Sequence, residues 1–118
     1  MNWYLAKIVF QVICDHGDHT PQFDEQLRLV SAHTKQDALK KARAMGERGE
    51  EIISDEGKRM VEWKFIDVPE IEEIKEMTDG VEIYSAITET DSASNYISMI
   101  RSRAIAIQTN TNHQLIAQ

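Results

Sequence analysis

Residues 14–25, CDHGDHTPQFDE, hold one thiol, two histidines and four carboxylates within twelve positions. Imidazole and carboxylate groups suit zinc and related divalent ions, which makes Asp15, His16, Asp18 and His19 a candidate ligand set. Ligands must converge on one point. Histidines three apart do so on a helix, and Gly17 and Pro21 oppose a helix here. No second cluster completes a site, because His33 and His113 stand alone. The segment reads as a solvated turn between strands, and no metal is expected.

Cys14 is the other chemical candidate, with His16 two residues on to activate it. Cys14 falls on the apolar side of an alternating segment, where a thiol is inert rather than ionised. The chain has no glycine-rich phosphate loop, no Ser-x-x-Lys and no nucleophile elbow. No catalytic residue and no cofactor are therefore assigned. If the chain binds a small ligand, the candidates are His19, Glu25, Trp63 and Tyr84, gathered in a cleft at one end of a sheet. The competing reading makes Trp3, Trp63, Phe65 and Tyr84 parts of a core.

The elements that would position these groups follow from periodicity. Residues 2–14 alternate, with Tyr4, Ala6, Ile8, Phe10, Val12 and Cys14 on one side and Trp3, Leu5, Val9 and Ile13 on the other. Residues 25–33 read as a second strand, with Leu27 and Leu29 opposed to Gln26 and Arg28. Thr34 is a good helix cap with Asp37 three residues on, and Leu39, Ala38, Ala42 and Met45 form the apolar stripe. Gly46 and Gly49 weaken the helix near residue 48. The tetrapeptide SDEG at 54–57 signals a turn, and Val61, Trp63 and Phe65 face inward from a strand that Pro69 should end. Residues 70–77 fit either a short helix or a strand. VEIYSAIT at 81–88 alternates like a strand, and a helix capped by Asp91 or Ser92 follows before a polar tail.

The expectation is an α+β fold with an antiparallel sheet of four to five strands in the order β-β-α-β-(β)-β-α. One helix lies on a sheet face, and a second is C-terminal. Ile8, Phe10, Leu27, Leu29, Val61, Trp63 and Phe65 are expected under the first helix. The domain would cover 1–88, followed by a C-terminal helix and tail over 89–118.

Net charge is −7, and residues 50–82 hold twelve acids against four bases. Such a field opposes phosphate backbones, so nucleic acid is not an expected partner. The basic cluster Lys35, Lys40, Lys41, Arg43 and Arg48 reads as a solvated helix face. No run is long enough to span a membrane, and nothing resembles a secretory leader, so the cytoplasm is the expected compartment.

The segments MNWYLAKIVFQV, TPQFDEQLRLV, TKQDALKKARAMG, VEWKFIDV and DGVEIYSAI occur in that order. Together they resemble a bacterial family of small proteins described only as domain of unknown function number 4288, over residues 1–88. The resemblance implies one bacterial cytoplasmic domain and brings no activity, cofactor or catalytic residue. The leading functional expectation is a non-catalytic interaction or regulatory module. A small enzyme or ligand-binding protein is the alternative. Trp3, Leu5, Val9 and Ile13 would leave an exposed patch on a sheet with one helix to cover it. Tyr96, Ile97 and Ile100 of the C-terminal helix are candidates to cover it or to meet a second copy, and a homodimer is expected.

Overall fold

The computed structural model describes residues 1–55 and 59–117, the side chains of 16, 55 and 111–117 excepted. Two units divide the chain, Met1–Ile83 and the segment from Tyr84 onward. The first is α+β. Strands β1 (Asn2–Cys14) and β2 (Gln22–Ala32) precede helix α1 (Lys35–Arg48), and β3 (Glu51–Asp55) and β4 (Arg59–Ile74) follow it. All pairings are antiparallel, in the order β2-β1-β4-β3. The second unit contains α2 (Ala93–Ala117).

β1 lies between β2 and β4 because it is apolar on both sides, as an interior strand must be. Its register with β2 pairs Tyr4 with Val30, Phe10 with Asp24 and Leu5 with Leu29. Even-numbered residues of the two strands therefore share one face, and odd-numbered residues share the other. Helix α1 covers the even face. Thr34 caps it as expected, its Oγ1 accepting from the Asp37 N–H at 3.1 Å. Tyr4, Ala6, Ile8, Phe10, Val30, Ala38, Ala42, Val68 and Ile71 form the buried core, with Leu39, Met45, Trp63 and Phe65 packed against it. Phe10 and Phe65 are directly opposed across β1 and β4 and meet edge to face, with ring centroids 6.0 Å apart.

Leu27 and Leu29 correct the expected core. They pair with Lys7 and Leu5 and so lie on the face away from α1. Alternation shows which residues of a strand share a side, but only the register with β1 decides which side meets the helix.

Pro69 does not end its strand. Lys7 pairs with Glu70 and Val9 with Asp67, so Val68 and Pro69 together oppose Ile8. The next step, Val9 to Phe10, again takes two residues of β4. These bulges accept a proline because its missing N–H falls where the ladder is already broken. They also set the core residues Phe65, Val68 and Ile71 three apart, instead of two. The open choice over 70–77 resolves as strand up to Ile74.

The expected strand over 81–88 is absent; those residues have no regular structure. The fourth strand is instead β3, Glu51–Asp55, which pairs with Arg59–Trp63. Beyond Trp63 the outer side of β4 has no partner strand among the described residues, and the Phe65 N–H donates to the Glu50 carboxylate at 3.2 Å. The turn expected at 54–57 lies partly outside the described residues. α2 starts after Ser92, whose Oγ accepts from the Asn95 N–H at 3.3 Å, and it continues through the segment expected to be a polar tail.

Candidate functional site

The loop that attracted chemical attention is built as a structural clasp. A short 3-10 turn, Asp15–Gly17, leaves β1, with Asp15 at φ 46° and Gly17 at φ 86°. His19 then folds back. Its Nε2 accepts from the Cys14 N–H at 2.8 Å, and its Nδ1 lies 2.7 Å from the Thr20 carbonyl oxygen. A neutral imidazole carrying its proton on Nδ1 satisfies both bonds. Both ring nitrogens of His19 are thus spent on backbone. No group of three or more His, Cys, Asp or Glu able to hold a metal occurs among the described residues. The His16 and His113 side chains lie outside the described residues, as does any Cys14–His16 pairing. Cys14 is half-buried.

Of the four ligand candidates, the three in the first unit stand at separate places. His19 sits at the hairpin end. Glu25 lies on the odd face with its carboxylate 3.9 Å from Lys7 Nζ, and Trp63 lies on the even face beside Val12. Tyr84 belongs to the second unit. Trp63 does line a cleft of about 420 Å³ with Glu50, Glu51, Ile52 and Glu62. That wall offers carboxylates, one indole and one aliphatic chain, and none of the histidine, thiol, hydroxyl or amine groups of a nucleophilic site. Trp3 and Tyr84 depart from the core expectation, since both are exposed.

Charge is organised on α1 and at the centre of the odd face. Arg43 Nε donates to Asp67 Oδ1 at 3.0 Å, and the Val68 N–H donates to the same oxygen at 2.7 Å. The Val68 bond first, then Arg43, holds the Asp67 carboxyl below its ordinary value of 3.8. Lys41 Nζ donates to the Ser31 carbonyl at 2.9 Å, tying the helix to the end of β2. On the odd face Lys7 lies between Glu25 and Glu70, the latter at 3.7 Å.

Beside that charged centre the odd face carries apolar side chains from β1 and β2, while its β4 part presents Glu62, Lys64 and Glu72. Trp3 is 46% exposed, Phe23 57%, Leu27 47% and Leu29 49%, although all four stand in the ladder. Leu5 and Ile74 are buried, and Val9 and Ile13 are half-buried. The two-sided apolar pattern of β1 pointed to this face. The contributions of Phe23, Leu27 and Leu29 were hidden because they depend on pairing register. In α2, Tyr96, Ile97 and Ile100 are each exposed to about two-fifths. Among the described residues no helix is long and apolar enough to cross a membrane.

Comparison with curated proteins finds no match, and neither does comparison with solved structures. A family model covers residues 3–85, which include α1, the apolar face and, but for Asn2, strands β1 to β4. The chain belongs to the family described as Domain of unknown function (DUF4288).

Proposed function

We propose that this chain is a non-catalytic interaction module whose first partner is a second copy of itself. The carrying observation is the half-exposed set Trp3, Phe23, Leu27 and Leu29 on the sheet face opposite α1. Four large apolar side chains grouped in this way are the usual mark of a protein-binding surface. The α2 residues Tyr96, Ile97 and Ile100 offer a second surface of the same character. A ligand-binding or enzymatic role has weaker support, because the cleft beside Trp63 offers carboxylates but no histidine, thiol, hydroxyl or amine to work with them.

Light scattering at micromolar to millimolar concentration tests the proposal. A dimeric mass is expected, with association weakened by Leu29→Asp if the sheet carries it and by Ile97→Asp if α2 does. A monomeric mass throughout that range would overturn self-association.

A further inference from the structure

The sheet's two sides end differently. On the β4 side the edge is formed by the five-residue β3 and then by a stretch of β4 that holds two bulges, Pro69 and the acids Glu70, Glu72 and Glu73. Short strands, bulges, proline and charge are the recognised means of keeping an edge from pairing. β2 carries charge, in Asp24, Glu25 and Arg28, but none of the other protections. It runs eleven residues, paired with β1 on one side only, with no proline and no bulge in its ladder.

We propose that the outer edge of β2 pairs antiparallel with β2 of a second copy, about a two-fold axis perpendicular to the sheet and centred on Gln26. This rests on the self-association reading above and names the surface that performs it. An antiparallel pair keeps even residues opposite even residues, so the register can be centred on any one residue of β2 and is selected by what then faces what. Centring on Asp24, Glu25 or Arg28 sets that charge against its own copy, which is unfavourable. Centring on Leu27 sets Asp24 against Val30 and Glu25 against Leu29.

Centring on Gln26 sets Arg28 opposite Asp24 and Leu29 opposite Phe23, each twice by symmetry. Leu27 then stands opposite Glu25. Ion pairs and apolar pairs directly across a ladder both favour pairing. The residues are already aligned for this. Asp24 Oδ2 accepts from Gln26 Nε2 at 2.7 Å, and Gln26 Oε1 accepts from Arg28 Nη2 at 2.6 Å, so the three form a polar row along the edge. The same axis places both copies of α1 on one side and joins the two apolar faces into one on the other.

Charge reversal tests the register. Arg28→Asp alone sets carboxylate against carboxylate at both symmetric positions, and Asp24→Arg alone sets guanidinium against guanidinium. Each should weaken the dimer at least about tenfold in sedimentation equilibrium. An equimolar mixture of the two variants aligns every pair with opposite charge and should form heterodimer at wild-type affinity. Circular dichroism melts verify that each variant stays folded; should either fail, Gln26→Cys in a Cys14→Ala background should cross-link to a disulfide dimer under mild oxidation. Variants that dimerise as well as wild type, or a dimer in which Gln26→Cys does not cross-link, would overturn edge pairing while leaving self-association through another surface intact. A wild-type chain that stays monomeric would overturn both.

Discussion

The ring of Phe65 occupies the space a Cβ on Gly46 would need, so α1 approaches β4 at that turn as closely as a backbone can. Gly46 is buried in the last helical turn, and Gly49, which caps the helix, stands in the same way over Phe10. The two glycines thus sit above the edge-to-face pair. They do weaken the helix locally, as the sequence suggests, and in exchange two aromatic rings fit beneath it. Gly46→Ala should gain about 1 kcal/mol of helix propensity and lose about 1–3 kcal/mol to overpacking. Net destabilisation is expected in urea melts, with part of the loss recovered by adding Phe65→Leu.

Phe10 contacts this arrangement from the central strand and is almost fully buried. Phe10→Ala should lower stability by about 3–5 kcal/mol, a large share for a small domain. A loss under about 1 kcal/mol in denaturant titrations would contradict the burial of this ring.

His19→Ala removes an acceptor from the Cys14 N–H and a donor to the Thr20 carbonyl. A cost of about 1–2 kcal/mol is expected, with faster hydrogen exchange at the Cys14 amide. Because both imidazole nitrogens are engaged, elemental analysis of the purified chain should find no stoichiometric zinc, nickel or iron.

Asp67 links stability to pH. Its carboxyl is held below the ordinary value by bonds that exist only when the chain is folded. The stability contributed by the ionised form is fully present above the unfolded-state value and is lost as pH falls through the lowered one. Asp67→Asn should therefore flatten the acid limb of a plot of melting temperature against pH and leave its slope near neutrality unchanged.

The sequence made legible what depends on short-range pattern. The alternation of β1, the Thr34 cap and the inward set Val61, Trp63 and Phe65 all follow from local periodicity or side-chain chemistry. What stayed hidden depends on partners distant in sequence. VEIYSAIT alternates as well as any strand, but alternation supplies no neighbour, and the ladder place went to the less conspicuous EIISD. Pro69 reads as a terminator until the residue opposite it is known, since only Ile8 reveals the bulge. The candidate site divided in the same way: His19 stood out by residue type, although its role is architectural. Leu27 and Leu29 read as core, and Phe23 did not stand out, because their exposure is a property of register.

The bulges in β4 have a bearing on how large an assembly can grow. A sheet with two receptive margins can add copies without end, which is how fibrils elongate. A sheet with one receptive margin has a valence of one, and pairing through it consumes that valence. By spoiling one margin with Pro69 and two extra residues, β4 makes the stoichiometry finite. Growth by strand pairing should therefore stop at two copies.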